Sequence, residues 1–460
     1  MFSEANNTSN IAKIKREKPG QIKNLKLILF GFTTAFFPRL LSSFGAPSVI
    51  NFVHFGIIPC AFLIAIVTSK TTNRKAVSIV WSLLGGILFF LICILASALL
   101  NEAGIINIFL QFMFLAEPFM LLAAIVAVPM YLRKFEKFRY WLFGFALFNL
   151  VLAIAQSILL PIGIYPKPSG GTIADNITGV FGGGGGSAAN YVSCTVSFYF
   201  ALYFFNRFKH LSLWKRVLPL LAALYQIQVS DSKQVFLALA AGWGLVIVTK
   251  VERPVRFFFY IAAGFISILG FSWALLNLES EFLTPYQNWI NRPIWGWDGL
   301  AYQTKFAALE IVPSYYETPL HWLFGLGPGH TATRLGGWVL RDYETLLIPL
   351  GATIHDISFD FWTVVNTSYL PQESTVYFPM FTWIGIWGDI GILGLISYLW
   401  LCFILWQRIC VDDFGRFLLL STASFGFILT QMEEPGHVLT VACLLGLRWQ
   451  EKQIQQMSNS

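Results

Sequence analysis

The sequence predicts an all-α polytopic integral membrane protein with about 11–12 transmembrane helices and one large extracytoplasmic loop. Three observations lead there. Apolar stretches of about the 20 residues that a helix needs to cross hydrocarbon recur along the chain. Of the 460 residues 56% are hydrophobic and only 12% charged, and the mean hydropathy is +0.63. Lys and Arg gather in alternate connectors, as expected of loops retained on the cytoplasmic side. Such a chain is solvated by lipid, and two or three water-excluded soluble domains are excluded by the same figures.

Residues 1–24 are polar and basic and form a cytoplasmic N-terminal tail; the apolar stretch behind them lacks a small-residue cleavage site, so no cleaved signal peptide is expected. The spans fall at 25–45, 52–69, 76–99, 105–131, 139–162, 187–206, 216–230, 233–249, 255–276, 379–406, 415–432 and 437–449. About nine therefore occupy 25–276, a large extracytoplasmic (periplasmic) loop runs from 277 to 378, two or three more spans occupy 379–449, and 450–460 is a cytoplasmic tail. With the N-terminus inside, 24 of the 31 Lys and Arg fall on the cytoplasmic side. The seven left over are Arg39, Lys167, Lys233, Arg292, Lys305, Arg334 and Arg341. An eleven-span threading moves the C-terminal tail and leaves the long loop outside. The net charge of +7 is thus a topology signal, and no nucleic-acid partner is expected. Six cysteines without CxxC spacing indicate neither a disulfide framework nor a metal site.

An ionisable group inside a span is costly, and each one is a functional candidate. Arg39 lies toward the end of the first span, within snorkelling reach of the interface. Glu117 precedes Pro118 in mid-span, where a kink frees a carbonyl and the carboxyl must be paired, protonated or wet. In QIQVSDSKQVFLALAAGWG, Lys233 opens a helix and could receive a phosphate with the free backbone N–H groups; alternatively Asp231 and Lys233 neutralise each other in a polar turn. Five glycines, Gly182 to Gly186, allow backbone to approach a ligand, or act as a plain linker; without GxxxxGK[ST] they are no nucleotide loop.

The long loop carries ten acidic residues and many Trp, Tyr, Gly and Pro. Aromatic faces beside carboxylates suit sugar rings, while Trp and Tyr also mark the bilayer interface. Within HWLFGLGPGHTATRLGGWVLRDYETLL, Gly325, Gly327 and Gly329 imply a shaped turn, and His330 and Arg334 would share a face if the stretch were helical. His330, His355 and Glu373 are acid/base candidates, and Arg334 and Arg341 are able to grip phosphate. HExxH and GxSxG are missing, which argues against a metalloprotease or serine hydrolase.

Taken together, the TGVFG turn before a helix, the SDSKQVFLALAAGW helix pair, the LFGLGPGH turn and WGDIGILGLISYL after the loop resemble the bacterial O-antigen ligase and O-antigen polymerase superfamily over about residues 170 to 405. The sequence departs from that family's pattern at several points. Glycines replace Phe-x-Asn-Pro-Asn, Ser232, Lys233 and Gln234 stand for Ser-Arg-Gly, ESTVYFPM lacks the His-Asn, and Glu-x-Gly becomes Asp389, Ile390 and Gly391. The resemblance implies an enzyme of the bacterial inner membrane: a metal-independent glycosyltransferase that needs no cofactor. It would take a polyprenyl-diphosphate-linked glycan donor and a glycan acceptor, and work beside other polysaccharide export proteins. Lys233, Arg334, Arg39 and Arg341 would then hold diphosphate, His330, His355 or Glu373 would take the proton, and Gly325, Gly327, Gly329 and Asp389 would shape the glycan-side turn. Ligation of finished polysaccharide and, from another class, secondary transport are the alternative expectations.

Overall fold

A computed structural model describes residues 24–459 apart from 70, 72, 166–171, 183–188, 251–253, 279, 281 and 282. The N-terminal tail to residue 23, Lys167, Gly183 to Gly186 of the glycine run and Arg253 lie outside the described residues. All regular structure among the described residues is helical. The long elements before the loop are α1 (Asn24–Phe36), α2 (Pro38–Ser43), α3 (His54–Thr68), α4 (Arg74–Leu100), α5 (Ile105–Ala127), α6 (Leu132–Leu159), α7 (Ala189–Arg207), α8 (Leu213–Val229), α9 (Lys233–Val248) and α10 (Pro254–Asn277). After it come α11 (Thr382–Arg408), α12 (Asp413–Ile428) and α13 (Pro435–Asn459).

Five helices among the described residues are long and apolar enough to cross a membrane: α3 with the turn that leads into it, α4, α5, α6 and α11 with its leading turn. That is fewer than the eleven or twelve expected, partly because α1 and α9 have only 13 and 16 residues. At about 1.5 Å per residue, 16 residues reach about 24 Å, short of a hydrocarbon core about 30 Å thick. α3, α4 and α6 turn large apolar side chains outward, among them Leu63, Val67, Trp81, Ile92, Leu99, Leu147 and Val151, as helices bathed in lipid do.

α5 is the central helix. From Met113 to Ala127 every side chain except Pro118 is buried, and α5 packs on α3, α4 and α13. Beside it α4 packs on α11 and α9 on α12. The first span differs from its expected form: the chain breaks at Phe37, because Pro38 lacks an N–H and clashes with a continued helix, and restarts as α2. The last helix contains the expected span 437–449 and runs on, 25 residues in all, to Asn459. Its polar end continues as helix because Arg448 pairs with Asp412 and Glu451, and Arg207 also pairs with Glu451.

Residues 277–378 are folded into short helices, including Leu300–Phe306, Ala308–Ser314, Pro319–Phe324 and Ile357–Thr367. Ala308, Val312, Ile357, Phe361 and Val365 of this segment share one apolar cluster with Met380, Phe381, Ile384 and Leu429 at the ends of α11 and α12. The loop is therefore docked on the helix ends. Lys305 pins it further, its Nζ donating to the carbonyls of Phe378 at 3.0 Å and Ile428 at 2.5 Å, where the end of α12 favours a cation. Burial brings this ammonium group down to about 7.

α11 is broken at Gly391, whose φ of +66° lies in the left-handed region, and the Pro319–Phe324 helix lies against this break. A Cβ at Gly391 would come under 3.0 Å from the backbone of Leu323. Gly391→Ala is expected to lower stability by at least about 1–3 kcal/mol through strain alone, with more from the clash. Thermal unfolding of the detergent-solubilised protein measures it, with Gly144→Ala, where no atom lies within 4 Å, as the control.

Candidate functional site

The glycine-rich turn of the loop is built around one carboxylate. Asp389, fully buried in α11, accepts hydrogen bonds from the backbone N–H of Gly329 and Thr331 and from the hydroxyls of Thr331 and Thr333, all at 2.7 Å. The same turn donates from Leu326 N to Gly388 O at 2.8 Å and from Gly327 N to Asp389 O at 3.0 Å. From the other side, Asn101 donates to Gly325 O at 3.1 Å and Asn107 to Pro328 O at 3.0 Å. Gly325 has φ +73°, and its Cα packs so close to Asp389 that a Cβ would come under 3.0 Å from the Asp389 backbone. Gly325, Gly327, Gly329 and Asp389 are thus brought together, as a turn clamped on a helix break.

That turn leads directly into Arg334. The expected helix through His330 and Arg334 is absent; residues 326–333 are irregular, and a π-helical turn, Leu335–Val339, follows Arg334. His330 and Arg334 consequently point to different partners. The buried His330 uses both ring nitrogens, Nδ1 with Leu326 O and Nε2 with Thr353 Oγ1, each at 2.8 Å. Burial is the main force that holds its pKa down to about 4, and nearby His355 adds to it. His355 lies beside His330 and Tyr315, with its Nδ1 accepting from Ile357 N at 3.2 Å. Burial shifts it downward too.

Arg334 instead meets Arg39. Both guanidinium groups bind the carboxylate of Glu434, Arg39 Nη2 at 2.5 Å and Arg334 Nη1 in a close contact, and all three side chains are largely buried. Arg39 is set by α2 and by the TGVFG turn, whose Phe181 carbonyl accepts from Arg39 Nη1 at 3.5 Å. This turn is itself held by α6: Gln156 Oε1 accepts from Thr178 N and Gly179 N, and Asn149 Oδ1 from Val180 N. The Arg334 backbone N–H donates to Glu433 Oε2 at 2.7 Å, and its guanidinium stands 5.5 Å from the Phe114 ring centre. Burial, with Arg39 close by, lowers Arg334 to about 9, so it stays charged at neutral pH.

Arg39, Arg334 and Glu434 line a small cavity between the docked loop, the end of α1, the starts of α3 and α13, and the middle of α5. Tyr343, Trp338 and Phe52 supply ring faces to its wall, and Asn51 and Gln431 supply amides. Asn51 Oδ1, both polar atoms of the Gln431 amide and Arg334 Nε make no hydrogen bond among the described residues. Two guanidinium groups sharing one carboxylate, next to unpaired amide and ring surfaces, suit an anion of more than one charge attached to a hydroxyl-rich group.

The remaining sequence-predicted residues stand elsewhere. Lys233 pairs with Asp231 at 2.5 Å, the self-neutralising arrangement. Arg341 binds Asp342 and stacks 3.8 Å from the Trp362 ring centre. Glu373 is half-exposed and paired with Arg292 at 2.5 Å. Glu117, by contrast, is buried next to the cavity, against the lining His54, 2.8 Å from its Nδ1. Glu433, Glu434 and Gln431 were missed; two adjacent carboxylates before a proline, in a segment read as the gap between two short spans, are the signal that could have found them.

A comparison with protein-family models finds no match for the chain, and a search of curated proteins finds none either.

Asp389→Asn keeps the shape but turns one acceptor into a donor facing N–H and O–H donors. It is expected to cost at least about 3 kcal/mol in unfolding measurements. Glu433 is fully buried, and burial, partly offset by the Arg334 N–H, pushes its pKa up to about 8. A folded-state value above the unfolded one means that the native state holds the extra proton, so stability falls as pH rises through the window from about 4.5 to 8. Glu433→Gln should flatten that fall in chemical denaturation at pH 5, 6.5 and 8.

Proposed function

We propose that the protein is a membrane glycosyltransferase that polymerises polyprenyl-diphosphate-linked oligosaccharide repeats into an exported surface polysaccharide. The convergence of Arg39 and Arg334 on one cavity beneath the 277–378 loop is the observation that carries this reading. In the bacterial inner membrane, with basic connectors inside and this loop on the periplasmic side, the cavity would open at the level where polyprenyl diphosphates present their headgroups.

The chemistry asks little of the protein beyond charge and position. The anomeric carbon of the donor sugar already carries a good leaving group. An acceptor hydroxyl on a second lipid-linked repeat attacks it from the opposite face, and the C–O bond to diphosphate breaks with inversion. Arg39 and Arg334 neutralise the charge that grows on the leaving diphosphate, and their fixed placement avoids reorganisation at that moment. Asn51, Gln431 and the aromatic wall hold sugar hydroxyls and ring faces. Ligation of finished polysaccharide to a lipid or protein acceptor would use the same donor site. For transport, by contrast, the carboxylates of the spans would need to gather on a midplane cavity, whereas Glu117 is paired with a histidine.

Glycan chain length in cells lacking the protein tests the proposal. Single lipid-linked repeats should accumulate, and wild type should restore long chains. Arg39→Ala or Arg334→Ala at matched expression should cut elongation at least about tenfold, one cation in such a site being worth a few kcal/mol. Lys233→Ala, whose ammonium is already neutralised by Asp231, should remain close to wild type. Long unattached chains in the null would point to a ligase, and unchanged glycan would overturn the enzyme reading.

A further inference from the structure

The cavity needs a group that accepts the hydroxyl proton, and the one carboxylate that the loop brings to its wall, Asp342, is held by Arg341. His330 has both ring nitrogens engaged, and Glu373 is tied to Arg292. On the cavity wall itself stands His54, at the start of α3. Its Nδ1 lies 2.8 and 2.9 Å from the two carboxylate oxygens of Glu117, and both side chains are almost completely buried. Glu117 sits about 18 Å along α5 from its first residue, twelve residues on at about 1.5 Å each, next to Pro118. A carboxylate buried among apolar side chains needs a fixed partner.

Resting on the glycosyl-transfer reading above, we propose that His54, oriented by Glu117, is the general base that takes the proton from the acceptor hydroxyl. An ionised Glu117 accepts only, so Nδ1 carries the hydrogen and Nε2 keeps its lone pair. The proton of the hydroxyl passes to Nε2, the oxygen forms the new bond to the anomeric carbon, and the electron pair of the old C–O bond leaves with the diphosphate held by Arg39 and Arg334. The imidazolium formed is stabilised by Glu117 and returns its proton to water once the product leaves. Glu117 is thus a positioning residue. The other titratable and charged groups around the same cavity are Arg39 from α2, Arg334, Asp342 and Tyr343 from the loop, and Glu434 before α13.

The test uses the full chain in lipid nanodiscs, with two separate readouts. Undecaprenyl diphosphate, without sugar, probes the arginine site by binding; single lipid-linked repeats, extracted from cells lacking the protein, probe transfer by elongation rate. His54→Gln should bind undecaprenyl diphosphate within about twofold of wild type and lose elongation at least about a hundredfold, the usual weight of a general base. The rise of rate with pH that marks base ionisation should vanish with it. Glu117→Gln should keep binding, slow elongation and displace that rise, and the double variant should be no slower than His54→Gln alone, because the pair acts as a unit. A purely structural pair would instead lower binding and thermal midpoint together and leave the pH profile unchanged. Elongation by His54→Gln within threefold of wild type, with binding intact, overturns the proposal and leaves the glycosyl-transfer reading standing. If wild type itself binds no undecaprenyl diphosphate and elongates nothing, that reading falls and takes the base with it. Should His54→Gln not fold, an unchanged pH profile in Glu117→Gln decides against the proposal.

Discussion

The carboxylate of Asp389 has no solvent, yet four donors from one short stretch of loop end on it. A hydrogen bond to a charged group contributes about 1.5–3 kcal/mol, and burying a lone carboxylate costs several, so the balance is favourable only while all four donors stay in place. This makes the turn and the helix break one object: residues 326–333 cannot shift along α11 without leaving the charge bare. Everything downstream inherits the constraint. Thr333 is bound to Asp389, Arg334 is the next residue, and its backbone N–H is caught by Glu433. The guanidinium is thereby placed by two backbone anchors before its own side chain meets Glu434.

A second anchor comes from the opposite end of the sequence. Gln156 and Asn149 take up the backbone N–H groups of the TGVFG turn, and that turn supports Arg39. Two cations 295 positions apart are thus delivered to one carboxylate by two independently braced turns, while Lys305 and a shared apolar cluster keep the loop seated over them. Such bracing is what a charge-stabilising site requires, because donors that must first move into place lose much of their advantage.

Much of this was legible in the sequence as ingredients rather than as an arrangement. The apolar stretches marked α3 to α6 and α11, since lipid selects composition directly. The family resemblance pointed to Gly325, Gly327, Gly329 and Asp389 together, and the scarcity of charge in spans picked out Arg39 and Glu117. The resemblance gave no partner for Arg334: spacing predicted His330, whereas Asp389 pulls the stretch into an irregular turn. Glu434 and His54 escaped because each acquires its meaning from a residue far away in the chain, and such pairing leaves no period to read. Lys233 was legible as an alternative, and its neighbour Asp231 decided for neutralisation. The helical run of α13 beyond residue 449 was not legible because charged residues in sequence look like the edge of a span until their partners on α7 and before α12 are known.

Glu434 gives the arginine pair a resident counter-ion. On the glycosyl-transfer reading proposed above, an incoming diphosphate would not fill a bare positive hole; it would exchange with a carboxylate that is tethered, always present and weaker in charge. Binding would then be moderated by the work of prising the guanidinium groups away from it, and departure would be assisted because the carboxylate is ready to take them back. A site that gripped its leaving group without a rival would stall after one transfer. Here the rival is built into the chain one residue before α13, so the protein would recover its starting electrostatic state without waiting for an ion from solution.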